Sequence, residues 1–144
     1  MKTVRQLLRG KGEAVHSIAP QSTVYDALKL MAERNVGALV VVEGGRLAGI
    51  MSERDYARKV VLLGRFSKEI PVADIMTREV VFVRPSDSVE TCMALMTQKR
   101  IRHLPVLEEG VLVGVISIGD VVKSIIDDQQ FTIQQLEQYL MGSR

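Results

Sequence analysis

The chain has 144 residues, 47% hydrophobic and 25% charged, an ordinary globular composition for one domain or two very small ones. A formal net charge of +2, with no block of five like charges, excludes a basic nucleic-acid arm and an acidic tail. The single cysteine, Cys92, excludes an internal disulfide and a CxxC zinc or redox motif.

Three Tyr, three Phe and no Trp leave few platforms on which bases could stack, so no nucleic-acid partner is expected. The opening stretch MKTVRQLLRGKGEAV holds no seven-residue apolar core and no signal-cleavage pattern. Apolar runs such as Ala38 to Val42 fall far short of the roughly 20 residues that span a bilayer. The expectation is a cytoplasmic protein without a membrane partner.

In chain order, Val15 to Pro20 reads as a strand that stops at its proline. Val24, Ala27, Leu28 and Met31 fall at i, i+3, i+4, i+7, the apolar face of a helix, with Thr23 and Asp26 at capping-box spacing before it. Ala38–Val42 and Leu47–Met51 read as a hairpin turned by Glu43-Gly44-Gly45. A second helix begins near Asp55, with Val60 and Val61 on its apolar side. The series then returns. Val80 to Pro85 is a strand, and Val89, Cys92, Met93 and Met96 make a helix face. Leu104–Leu107 and Val111–Ile116 flank the turn Glu108-Glu109-Gly110, and a helix starts near Asp120 with Ile125 and Ile126 on its apolar side. Cys92 and the methionines on these stripes are expected in the core.

Residues 15–58 align with 80–123 at a constant offset of 65 without a gap, and 13 of the 44 pairs are identical. The leaders TVRQLL and PVADIM also match, with Arg9 to Ala14 replacing the shorter Thr77 to Glu79. The expected fold class is α/β (α+β): two β-α-β-β-α repeats, 3–63 and 70–126. Each is too small for a core of its own, so the two pack with pseudo-two-fold symmetry. In residues 127–144, Ile133, Leu136 and Leu140 form the narrow stripe of a C-terminal amphipathic helix. It either docks on its own domain or forms a dimer contact, and a homodimer is expected.

One motif occurs twice, Gly49-Ile-Met-Ser52-Glu-Arg54-Asp55 and Gly114-Val-Ile-Ser117-Ile-Gly-Asp120. A glycine late in a strand lets a ligand approach the backbone. An aspartate at a helix start can accept from both hydroxyls of a ribose, and a serine hydroxyl beside a helix N-terminus suits a phosphate. Ser-x-x-Asp is equally a capping box without a ligand, and the two readings can coexist. Arg54, Arg58, Lys59, Arg102, His103 and Lys123 surround the motifs with cationic or titratable groups. Repeat one has Gly37 and Ala38 where repeat two has Arg102 and His103, so the two potential sites are not equivalent. Two histidines and no GxSxG, HExxH or P-loop sequence leave no catalytic set to assemble.

The apolar-x-Pro strand end, Arg102-His-Leu-Pro-Val106, the Asp74-Ile-Met-Thr77 leader and the doubled Gly-apolar-apolar-Ser-x-x-Asp together resemble a tandem pair of CBS domains, a Bateman module of the stand-alone bacterial type. The resemblance covers about residues 3–126. It implies regulatory, non-enzymatic binding of an adenine nucleotide, AMP, ATP or NAD(H), in clefts between the repeats, without a metal. Ribose binding carries over to Asp55 and Asp120, assisted by Ser52 and Ser117. Adenine cover carries over to Val15, His16, Val80 and Val81. Phosphate contact carries over to Arg54, Arg58, Arg102, His103 and Lys123. An unidentified effector protein would carry the output. Two rival readings stand beside this one: a structural dimerisation module whose Ser-x-x-Asp motifs are only caps, and a nucleotide-processing enzyme.

Overall fold

The computed structural model describes residues 2–12 and 15–142. Helix α1 (Val4–Lys11) is followed by strand β1 (Ser17–Ile18), helix α2 (Val24–Arg34) and the hairpin β2 (Ala38–Glu43) and β3 (Arg46–Ser52). Helix α3 (Glu53–Tyr56) then widens into a π turn over Ala57–Val61. After a 3₁₀ turn at Val72–Asp74 come α4 (Val89–Lys99), the hairpin β4 (His103–Glu108) and β5 (Val111–Ser117), and α5 (Ile118–Met141). The first sheet has the order β1-β2-β3, with β1 parallel to β2 and β2 antiparallel to β3. The second sheet pairs β4 with β5 in the same register, position for position at the 65-residue offset. Both hairpins turn through two residues of positive φ, Gly44-Gly45 at 58° and 78° and Glu109-Gly110 at 50° and 80°, as a type I′ turn requires.

The repeat predicts a strand over Val80 to Pro85, but only one rung forms there, the parallel bridge from Val83 to Val106. Val83 donates its N–H to the Pro105 carbonyl, and Leu107 donates to the Val83 carbonyl. The next rung would need an N–H from Pro105, which stands where repeat one has Val40. Proline has none, so the ladder stops.

The leaders do not serve the repeats they precede. Val4 and Leu7 of α1 are buried in the second core, among Val83, Val89, Cys92, Leu104, Ile116 and Val121. Ile70, Val72, Ile75 and Met76 are buried in the first, among Val24, Met31, Leu39, Val41 and Met51. Backbone bonds repeat the exchange on both sides. Val4 N–H donates to the Asp87 carbonyl at 2.8 Å, and Val72 N–H donates to the Ser22 carbonyl at 2.7 Å. Repeats 3–63 and 70–126 are therefore interlocked, each core completed by the other's leader.

That crossing explains the paired glycines. A Cβ on Gly49 would stand 2.7 Å from the Thr77 carbonyl oxygen and 2.9 Å from the Met76 sulfur. One on Gly114 would stand 2.7 Å from Leu8 Cδ2. The close approach expected of a ligand at these positions is made instead by the exchanged leader.

No break separates a C-terminal helix at residue 127. Asp127 and Asp128 are interior positions of α5, which runs 24 residues from Ile118 to Met141. Its first half buries Val121 and Ser124. From Gln129 onward every described residue is exposed, so this half is not docked on its own domain. Cys92 is fully enclosed and Met31 and Met96 nearly so, but Met93 is only partly buried, and Val61 and Ile126, expected on the apolar sides of their helices, are exposed. Burial, with Asp87 adding, pushes the Cys92 thiol up to about 11, which leaves it inert at neutral pH.

Candidate functional site

A cavity of about 610 Å³ lies between the repeats. Its walls come from the end of β3 and the first turns of α3 (Ser52, Arg54, Asp55, Arg58), from the crossing segment Thr77 to Val81, and from the α4–β4 connection (Arg100 to His103). Eight of the expected site residues meet here: Ser52, Asp55, Arg54, Arg58, Val80, Val81, Arg102 and His103. The others, Val15, His16, Ser117, Asp120 and Lys123, do not line it; Val15, His16, Ser117 and Asp120 sit where the symmetry-related cleft would be.

Both Ser-x-x-Asp motifs form complete capping boxes. Ser52 Oγ accepts from Asp55 N–H at 3.2 Å, and Asp55 Oδ2 accepts from Ser52 N–H at 3.0 Å. The other carboxylate oxygen, Asp55 Oδ1, accepts from the Thr77 hydroxyl at 3.4 Å and faces Lys59 Nζ at 3.2 Å. The Ser52 hydroxyl also donates to Asp55 Oδ2 at 3.2 Å, so four donors face the carboxylate, and a ribose would bind by replacing the Ser52 or Thr77 hydroxyl there. Lys59 belongs to the same helix, donates also to the Ile75 carbonyl at 2.8 Å, and does not line the cavity.

Four guanidiniums, Arg54, Arg58, Arg100 and Arg102, share the lining with three carboxylates, Glu53, Asp55 and Glu79. Arg54 spans the cleft, with Nη1 donating to the Arg100 carbonyl at 2.6 Å. That carbonyl is turned outward by the left-handed cap at Arg100, φ 54°, which ends α4 as Asn35 at 53° ends α2. Thr77, Glu79 and Arg100 were not foreseen in the sequence. Thr77 closes the Asp74-Ile-Met-Thr77 stretch of the resemblance and Arg100 precedes Ile101-Arg102-His103, but Thr77 to Glu79 is the segment in which the two leaders do not match.

His103 is partly buried in the cavity wall, with its ring 3.5 Å from the point where a Gly37 Cβ would stand. Burial lowers the His103 imidazole below its ordinary range. Lys11 and Arg102 lower it further, against an opposing pull from Asp120. The folded imidazole therefore stays neutral where the unfolded one takes up a proton, so stability falls as pH drops through about 6.5. Acidification from pH 7.5 to 5.5 is expected to lower the melting temperature more in the native chain than in His103→Gln. Equal shifts would show that His103 contributes nothing to the pH dependence.

With this geometry in view, residues 12–62 and 72–127 match the CBS domain. The chain belongs to the CBS domain family. It is 42% identical over 149 residues to the mitochondrial CBS domain-containing protein CBSX3 of Arabidopsis thaliana, covering 97% of this chain and 72% of that one. It is 39% identical over 106 residues to the CBS domain-containing protein YhcV of Bacillus subtilis, covering 74% and 75%. Among solved structures, a protein with CBS domains from Burkholderia ambifaria superposes with a TM-score of 0.86 at 56% identity, covering 92% of this chain and 99% of that one. CBS pairs are generally regulatory and non-catalytic, and they typically bind adenine nucleotides. Among the described residues of this CBS pair no helix is long and apolar enough to cross a membrane.

Proposed function

We propose that this CBS pair is a non-enzymatic regulatory module that binds an adenine nucleotide in the cleft between its repeats. The observation that carries the reading is the meeting, in one cavity of ligand size, of a capped aspartate, an apolar wall and several guanidiniums. Asp55 and Ser52 take the ribose hydroxyls. Val80, Val81 and Ile101 cover the base. Arg58 and Arg102 take phosphate, and Arg54 closes over it from its seat on Arg100. The lining has four cations against three anions. That small excess favours AMP or NAD(H), with one or two phosphates, over ATP. Nucleotide binding would tighten one arrangement of the repeats and pass a signal to an effector protein by shifting that equilibrium.

Asp55→Ala is expected to weaken binding of AMP or NADH by about 1.5–3 kcal/mol, the worth of a charged acceptor. It also removes a helix cap, at about 0.5–2 kcal/mol of stability. Calorimetric titration beside thermal melts separates the two. A stability loss with unchanged affinity would leave the structural reading in place, and failure of AMP, ADP, ATP and NADH at millimolar concentration would remove the sensor reading.

A homodimer is the proposed assembly, as CBS proteins often oligomerise. On α5, Ile118, Val122, Ile126, Ile133, Leu136 and Leu140 are all exposed and fall on one side of the helix. This stripe is the proposed contact, and light scattering would read about twice the 16.0 kDa chain mass.

A further inference from the structure

The aspartates of the two Ser-x-x-Asp motifs differ in what holds them. In the first, Lys59 reaches Asp55 from the same helix, away from the cavity. The residue equivalent to Lys59 in repeat two is Ser124, whose buried hydroxyl has no hydrogen-bond partner among the described residues. Asp120 is instead met by Lys11, which arrives from the end of α1 in the exchanged leader. Lys11 Nζ donates to Asp120 Oδ2 at 2.6 Å and to the Val115 carbonyl at 2.7 Å.

The second bond is informative. Val115 is the counterpart of Ile50, whose carbonyl in the first cleft accepts from the Thr77 backbone N–H at 2.8 Å. There the leader ends its helical turn at Asp74 and bridges to Ile50 through the Thr77 backbone, which fills the place that Lys11 Nζ takes beside Val115. In the longer leader of repeat one, α1 stays helical through Lys11. The lysine ammonium then takes the place of the missing backbone donor and covers the aspartate in the same stroke. Burial pushes the Asp120 carboxyl up, but the hydrogen bond and charge of Lys11, with the Ser117 N–H, outweigh it and hold it below the ordinary carboxylate range. The Asp120 carboxyl is therefore ionised at neutral pH, and a ribose hydroxyl reaching its Oδ2 would have to displace Lys11 Nζ.

We propose that Lys11 occupies the ribose position of the second cleft, so that the chain takes one nucleotide, in the first cleft, until the end of α1 moves away. This rests on the nucleotide reading above for the ligand class, while its own claim concerns Lys11 alone. The test counts bound AMP, and separately NADH, per chain by equilibrium dialysis for the native chain and for Lys11→Met. Lys11→Gln, which can still donate to the Val115 carbonyl without charge, serves as the second variant if the methionine chain does not fold.

The expected result is one nucleotide per native chain and two per variant, with Asp120→Ala in the variant background returning the count to one. One in both would overturn the role of Lys11 and leave the nucleotide reading intact. None in the native chain and one in the variant would uphold Lys11 and overturn the first cleft. None in either would overturn both. Two in the native chain, with one lost in the variant, would mark Lys11 as a phosphate contact and overturn the proposal.

Discussion

Leu7→Ala is expected to destabilise the whole molecule by about 2–5 kcal/mol, the cost of a large cavity in a packed core. Leu7 is only 8% exposed and belongs to the core of the opposite repeat. Arg5→Ala, two residues earlier, is the control. Its pairing with Glu108 lies on the surface, with both side chains more than 40% exposed, and such pairs contribute little. Urea unfolding followed by a probe in each repeat is expected to show a single transition that shifts for Leu7→Ala and barely moves for Arg5→Ala. Two separated transitions, with the first repeat unaffected, would contradict the interlocked core.

Gly49→Ala is expected to cost about 1–3 kcal/mol, and Gly114→Ala less. At Gly49 the added methyl meets the Thr77 carbonyl at 2.7 Å. That oxygen is backbone, held in place by its bond from Ile50 N–H at 3.0 Å, and cannot step aside without breaking the bridge. At Gly114 the obstacle is the end of the Leu8 side chain, which can change rotamer. Denaturant midpoints of the two variants give the comparison. Equal losses would mean that the leader yields as readily at Thr77 as at Leu8. Because Thr77 also lines the cavity, Gly49→Ala is expected to weaken nucleotide binding, whereas Gly114→Ala leaves it unchanged.

Local features of this fold were plain in the sequence. Both hairpins, both capping boxes and the apolar stripes of α2 and α4 follow from spacing and turn chemistry, and the repeat offset checks each against its twin. The strand that the repeat predicts at Val80 to Pro85 shrinks to one bridge because its partner, not the strand itself, carries the proline that ends the ladder. The glycines were legible as close-approach positions, but not what approaches. TVRQLL and PVADIM resemble each other so well that either could complete either core, and only chain routing decides. The same routing hides Lys11, since nothing nearby in the sequence ties it to a residue more than a hundred positions away. The meeting of Asp55 with Val80, Val81, Arg102 and His103 needed the family resemblance; spacing alone could not place repeat two's residues on repeat one's aspartate.

The exchanged leaders also have a consequence for biosynthesis. Residues 2–11 are synthesised about a hundred residues before Ile116 and Val121, which belong to the core they complete. The first repeat cannot close until Ile70 to Met76 follow it out. The halves therefore cannot fold in turn like beads on a string; closure waits for contacts that span most of the chain, the slow kind of topology. A nascent chain stalled after Leu63 would carry a leader without a core and a core without a leader. Two such fragments can satisfy each other by trading leaders, which makes domain swapping the natural misassembly of the half-made protein.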